Sequence, residues 1–258
     1  MFSATEFTYD NRYSGTYGLK IASLDSAAVE ETSYVAPTIT SAKPPKSKKF
    51  FFQDIKYESM PTYSFSVLAE TAIPESIQRE LMLWLDARKG FKVLKIHQPE
   101  FEEYEYKCIF NITETIYHAG SCVGFKLQAT FDSNYQYGMP VVKRVSGSGS
   151  EQIVSLFNPS DNIDEYVYPK VEFTTVDGSI SIINTTDDSE REFLFSELGA
   201  NASFVVDNEL KVITGSGDNL LSKFSKKWLR LVKGKNQLKI KINGTVKITC
   251  PHYVKIKF

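Results

Sequence analysis

Residues 123–131 read Val-Gly-Phe-Lys-Leu-Gln-Ala-Thr-Phe. Val123, Phe125, Leu127, Ala129 and Phe131 fall on one side of an extended chain and the polar residues on the other, as in an antiparallel strand with one solvated face. The same period runs backwards from here through Tyr104–Ile112, through Phe91-Lys-Val93-Leu-Lys-Ile96, and through Tyr63, Phe65 and Val67. It returns near the start, in Phe7 and Tyr9 and then Tyr17, Leu19 and Ile21, with Gly15 and Gly18 punctuating the turn between them. One stretch breaks the pattern. Pro74-Glu75 opens a run in which Ile77, Leu81, Trp84 and Leu85 recur at helical spacing, and Gly90 supplies a stop signal. This predicts a helix over residues 74–89 whose apolar stripe, Trp84 included, lies on a sheet.

Beyond Tyr135 the chain turns to flexible and turn-forming residues, among them Ser146-Gly-Ser-Gly-Ser150, which is a linker or a long turn. The domain boundary is expected there, with residues 1–137 in one unit and 138–258 in the other. The second half reads as hairpins. Phe173–Val176 is expected to meet Ile180–Ile183 across Asp177-Gly178, Phe204–Val206 to meet Leu210–Val212 across Asp207-Asn208, and Leu238–Ile242 to meet Val246–Cys250 across Asn243-Gly244. The expected fold class is therefore mainly β: two β-sandwich domains, the first carrying one α-helix and the second a jelly roll.

Composition limits what such a protein does. The chain has 258 residues, 42% of them hydrophobic, and 30 basic against 31 acidic side chains leave a net charge of -1. That supports a core but no global field for a nucleic-acid backbone or an anionic membrane, so neither is an expected partner. Cys108, Cys122 and Cys250 are odd in number and far apart, which gives neither a disulfide framework nor a zinc ribbon. Met1–Asp10 lacks a basic start and an apolar stretch, and no apolar run reaches bilayer length, so a soluble protein made in a cytoplasm is expected. The Asn-x-Ser/Thr triplets at Asn111, Asn184, Asn201 and Asn243 are then turn and strand chemistry.

Candidates for chemistry are thin. Gly120-Ser-Cys122-Val-Gly124 has the outline of a nucleophile elbow, but a strand follows where that motif needs a helix, and a hairpin turn with an ordinary thiol explains it. His118 and Cys122 would supply two metal ligands where a structural site needs about four. Asp161–Glu165 lacks the spacing and central glycine of a calcium loop. Glu100, Glu102, Glu103 and Glu105 read as the solvated rim of a strand face rather than paired catalytic carboxylates. No catalytic residue, cofactor or metal is expected, and a hydrolase acting through Cys122 or Ser148 is the least favoured function.

The order of these segments resembles phage distal tail proteins. The Pro74-Glu75 helix with Leu81 and Trp84-Leu85, then Gly90–Ile96, the turn from Pro99 to Tyr104, Tyr106-Lys-Cys-Ile and Gly124–Asp132 are similar to the N-terminal ring domain of that family. Tyr168-Pro-Lys-Val171, Asp177–Ile182 and Trp228–Asn236 are similar to its galectin-like C-terminal domain, and Phe7–Leu19 to its first hairpin. The resemblance implies a homo-hexameric ring in the virion tail tip of a long-tailed phage. Such a ring adapts the tail tube protein to the tail-associated hub or lysin protein, and the family also suggests receptor-binding proteins as neighbours.

Within that frame the stretch Ala36–Lys49 is the least regular. Pro37, Pro44 and Pro45 exclude a central strand, and Lys43, Lys46, Lys48 and Lys49 concentrate positive charge ahead of Phe50-Phe51-Phe52. It is either a surface loop or an arm gripping a neighbouring subunit, which makes Lys46, Lys48, Phe50, Phe51 and Phe52 interface candidates. Glu100, Glu102, Glu103 and Glu105 are candidates for a phosphate-repelling channel wall. The competing function is a carbohydrate-binding module in the second half, for which Trp228, Arg230 and Asn236 form the nearest trio of aromatic and polar groups.

Overall fold

The computed structural model describes residues 5–22, 38–46, 48–56, 59–86, 89–161, 165–216 and 219–256. The chain divides into two compact units, residues 1–136 with 256–258, and residues 137–255.

The first unit contains strands β1 (Phe7–Tyr9), β2 (Arg12–Tyr13), β3 (Leu19–Ala22), β4 (Thr38–Ala42), β5 (Phe51–Lys56) and β6 (Thr62–Ala69), then helix α1 (Glu75–Leu85), then β7 (Lys92–Ile96), β8 (Tyr106–His118) and β9 (Ser121–Phe131). Seven of these strands form one sheet in the order β2-β1-β7-β8-β9-β6-β3. Thr5, just ahead of β1, exchanges both backbone hydrogen bonds with Ile21 of β3, so the sheet curls until its last strand meets the segment leading into β1. The alternation seen in the sequence decides the inside. Phe125, Leu127, Ala129 and Phe131 of β9 are buried with Tyr106, Cys108 and Phe110 of β8 and Leu94 and Ile96 of β7. The β8–β9 turn is Ala119-Gly120, both at positive φ, which is the two-residue turn that a right-handed strand twist favours.

Helix α1 closes this core. Leu81, Trp84 and Leu85 are fully buried, Phe7 stacks on Trp84 at 5.9 Å, and the Trp84 indole N–H donates to the Tyr9 carbonyl at 2.9 Å. The helix is shorter than the 74–89 expected. Asp86 is extended (φ -105°, ψ 134°), and its carboxylate accepts the Ile112 N–H at 3.2 Å, so the chain leaves the helix five residues before Gly90.

The second unit contains β10 (Tyr135–Asn158, which begins in the first unit), β11 (Lys170–Asn184), β12 (Glu192–Asp207), β13 (Val212–Ser216), the short helix α2 (Leu220–Lys223) and β14 (Gly234–Lys255), with sheet order β10-β14-β11-β12-β13. Two of the expected hairpins are absent. Asp177-Gly178 and Asn243-Gly244 do not reverse the chain: β11 runs straight through the first, β14 through the second, and Asp177 is in register with Asn243. The third pair does form a hairpin, but across Asn208–Lys211 rather than Asp207-Asn208, since Asp207 itself pairs with Val212. Ser146-Gly-Ser-Gly-Ser150 is neither linker nor turn; it lies inside β10.

These turn-like residues mark a crease. Positive φ occurs at Gly149 in β10, Gly244 in β14, Thr175 and Gly178 in β11, Glu197 and Asn201 in β12 and Gly215 in β13, and the β11 register with both neighbours shifts there. Such bulges bend a strand and let it pass from one layer to another. The bend is large. Phe195 and Phe204 are nine residues apart on β12, about 30 Å of extended strand, yet their ring centroids lie 4.9 Å apart. Likewise Phe173 stacks at 6.1 Å on Phe193, whose register partner is Ile182. One sheet thus folds across its bulges into two facing layers around a core of Val171, Phe173, Ile182, Phe193, Phe204, Ile240 and Ile248.

Candidate assembly surface

Strands β4 and β5 pair only with each other among the described residues, outside the seven-stranded sheet. Thr38–Ala42 lies within the stretch read as irregular, and Pro44 and Pro45 fall in the connection, where a missing N–H costs nothing. Phe50, Phe51 and Phe52 are 68%, 57% and 65% exposed, as is Ile39 on β4, and the Lys43 ammonium sits 5.3 Å from the Phe50 ring centre. Phe51 and Phe52 are consecutive on a strand, so they point to opposite faces and neither face is a polar exterior. A lone two-stranded hairpin is at best marginal in water. One that bares three phenylalanines carries apolar surface that no described residue covers, the kind of patch that marks an interaction site. Lys46 (φ 66°) and Lys48 are exposed in the connection beside them.

The acidic candidates are not on a strand face. Glu100, Glu102 and Glu103 lie in a double turn closed by the Gln98 carbonyl, which accepts the N–H groups of Phe101 and Glu102, and pinned by the buried Phe101 ring. All three are exposed, whereas Glu105 pairs with Lys95 at 2.7 Å. Burial of Phe101 between exposed Glu100 and Glu102 is what a strand would also show, which is why the sequence pattern suggested one; the N–H groups of Phe101 and Glu102 instead bond the Gln98 carbonyl.

The glycan candidates are occupied. Asn236 is fully buried: its Oδ1 accepts from Asn184 Nδ2 (2.8 Å) and the Val232 N–H (3.0 Å), while its Nδ2 donates to the carbonyls of Val232 and Gly234. Arg230 donates through Nε and a terminal nitrogen to the Asp187 carboxylate (2.7 and 3.2 Å), and Tyr166 lies 3.8 Å beneath its guanidinium. The bonds to Asp187 hold the Arg230 pKa above its ordinary value. Trp228 packs edge-on against Phe224 at 4.9 Å. The space beside Trp228 and Arg230 is about 10 Å³, room for one water and no sugar.

Nothing else forms a reactive constellation. Cys122 is buried on β9, and burial pushes the Cys250 thiol up to about 12 and the Cys108 thiol higher still. Ser148 is exposed on β10, with no base beside it in any contact of the described residues. No group of three or more His, Cys, Asp or Glu side chains among the described residues could hold a metal, and residues 162–164 of the Asp161–Glu165 stretch lie outside them. No described helix is long and apolar enough to cross a membrane. What the sequence did not single out is apolar exposure on regular elements, such as Leu83 on α1 and Ile153 on β10. Each interrupts no pattern strongly enough to be noticed alone.

With this geometry in place, comparison with known proteins is informative. No curated protein matches the sequence. Solved structures share the fold along nearly the whole length, and two of them are informative. The crystal structure of the Dit protein (gp 19.1) of SPP1, described as a paradigm of the hub adsorption apparatus in phages infecting Gram-positive hosts, superposes with a TM-score of 0.65 at 12% identity, covering 97% of this chain and 99% of that one. A chain of the phage P2 baseplate in its activated conformation with Ca superposes with a TM-score of 0.52 at 8% identity, covering 97% and 98%. The resemblance to distal tail proteins is thus present in the fold as well as in the order of segments. The phage tail protein N-terminal domain family matches residues 2–133 and the phage tail C-terminal domain family residues 135–250, and the chain therefore belongs to this family of phage tail proteins.

Proposed function

We propose that this phage tail protein is the distal adaptor of a long tail: a hexameric ring in the tail tip, with the tube protein on one side and the hub protein on the other. The observation that carries this is the β4–β5 arm, a hairpin with Phe50, Phe51 and Phe52 bare, in a chain whose fold is that of a distal tail protein. A closed ring of identical subunits needs a heterologous contact, and an arm that reaches from one copy to the next provides it. The role is structural rather than enzymatic, which agrees with buried thiols of raised pKa and with phage tail relatives. The exposed Glu100, Glu102 and Glu103 suit a channel rim past which DNA slides without sticking, because carboxylates repel phosphate. Receptor-binding proteins are further neighbours. A glycan-binding role for the second unit draws no support from Trp228, Arg230 and Asn236, whose polar groups are engaged within the fold.

The test is the size of the purified protein. Six copies of a 29.2 kDa chain give about 175 kDa by light scattering and a six-fold annulus by electron microscopy. Replacing residues 38–56 by a short linker is expected to release monomers. A chain that stays monomeric even with its tube and hub neighbours would refute the proposal, and a ring that survives loss of the arm would refute the arm's part in it.

A further inference from the structure

A ring closed by one repeated contact uses two different patches on every subunit. If the arm is the first, the second lies elsewhere on the same chain and matches it in chemistry. We propose that the outer face of α1, centred on Met82 and Leu83, receives the arm of a second copy of this chain; the inference rests on the assembly role given to the arm above.

Helix α1 supplies the apolar half of the match. It turns Leu81, Trp84 and Leu85 into the core, and a helix of this kind ordinarily carries polar residues on its other face. Here that face carries Leu83, 65% exposed, and Met82, 41% exposed, side by side between Arg79 and Asp86. Leucine and methionine next to each other offer a receptive surface for aromatic rings, since methionine adapts its shape and makes favourable sulfur–aromatic contacts. The other large apolar side chains exposed on this unit outside the arm are less suited. Tyr13 donates its hydroxyl to Glu6 and rests against the His97 ring, and Met60, Phe91 and Tyr117 stand singly on different segments.

Charge supplies the other half. From Lys43 to Lys49 the arm carries four lysines and no acid, a net charge of +4. From Glu75 to Asp86 the helix carries Glu75, Glu80 and Asp86 against Arg79, and since Glu80 lies 3.7 Å from the Arg12 guanidinium, the face keeps a net charge of -1 once that pair is counted. Opposite fields steer encounter and fix register, while the apolar centre supplies affinity once water is excluded. Both features lie in the first unit, so the contact can repeat from subunit to subunit without the second unit taking part.

Cross-linking tests this directly, because Cys108, Cys122 and Cys250 are buried and leave engineered thiols as the reactive ones. A Phe51→Cys chain and a Leu83→Cys chain carrying a larger tag are co-expressed, purified as the assembled complex and treated with a short bis-maleimide. The expected result is a mixed cross-linked dimer on a denaturing gel, absent when either chain is present alone, and a ladder up to the full ring for the double variant. In the same assembly Leu83→Arg is expected to weaken association at least tenfold, while Leu221→Arg, an exposed leucine of the second unit, leaves it unchanged. An intact ring with no mixed product, or a double variant that links only within its own chain when diluted into unmodified protein, overturns the docking site but leaves the arm's role standing. A ring indifferent to removal of residues 38–56 overturns the arm's role itself.

Discussion

The two units solve the same problem in opposite ways. In the first, strands are separated by turns and the sheet curls until Thr5 meets Ile21; positive φ is used at Ala119-Gly120 to send the chain back on itself. In the second, positive φ occurs inside the strands, and the sheet is folded over without being cut. The glycines at the two places face different surroundings. A Cβ on Gly120 would meet nothing within 4 Å, whereas one on Gly244 would stand 2.6 Å from the Thr175 carbonyl oxygen. At the turn glycine is needed for its backbone angle alone. In the crease Gly244 and Gly215 are needed for the angle and for the room, while Gly149 and Gly178 have open space and serve the angle alone.

This contrast is open to measurement, because Trp84 lies in the first core and Trp228 packs against the second, so fluorescence reports each unit separately once the other tryptophan is replaced by phenylalanine. The largest effect is expected for Gly244→Val: clash plus a strained φ of 130° should cost the second unit about 3 kcal/mol or more, read as an early Trp228 transition in guanidinium with the Trp84 transition unmoved. Equal shifts in both would mean that the units unfold as one. Next is Asn236→Ala, which strips partners from Asn184 and from the backbone of Val232 and Gly234 and should cost about 2 kcal/mol. A neutral result would show that water replaces the amide. Gly120→Ala should cost only about 1 kcal/mol, the strain of a left-handed residue with open space around it, and only at the Trp84 transition.

The last effect is nil at neutral pH and emerges in alkali. Burial raises the Cys250 thiol from 9.0 to about 12, so the folded state holds it neutral where the unfolded chain would ionise. Its stabilising contribution is complete below pH 9.0 and drains away as pH rises toward 12. Thermal melts of Cys250→Ser should therefore lose part of the alkaline decline seen in the parent protein.

The crease also explains what could be read from the sequence and what could not. Strand β9 was legible because its period of two is unbroken from Phe125 to Phe131, and the stripe of α1 because Leu81, Trp84 and Leu85 share one face. Asp177-Gly178 and Asn243-Gly244 were misread because a tight hairpin and a bulge ask for the same backbone angles. Only the distant partner separates them: Asp177 lies beside Asn243, a pairing across more than sixty residues that no local pattern announces. The three phenylalanines of the arm stood out as a triplet, but that they sit bare on a hairpin depends on the seven-stranded sheet having closed without it. Trp228, Arg230 and Asn236 looked like a binding trio because aromatic and polar groups stabilise folds and hold ligands by the same forces; their partners Asp187, Tyr166 and Asn184 come from elsewhere in the chain.

One backbone hydrogen bond has a wider meaning. The Ile256 N–H donates to the Asn134 carbonyl at 3.1 Å, and Ile256 packs with the first core, so the chain comes back to the place from which it departed for the second unit. Topologically the second unit is a cassette spliced into the first at a single point, its way in and its way out neighbours. Evolution can therefore lengthen, exchange or decorate that cassette while the first unit keeps its own cut ends together.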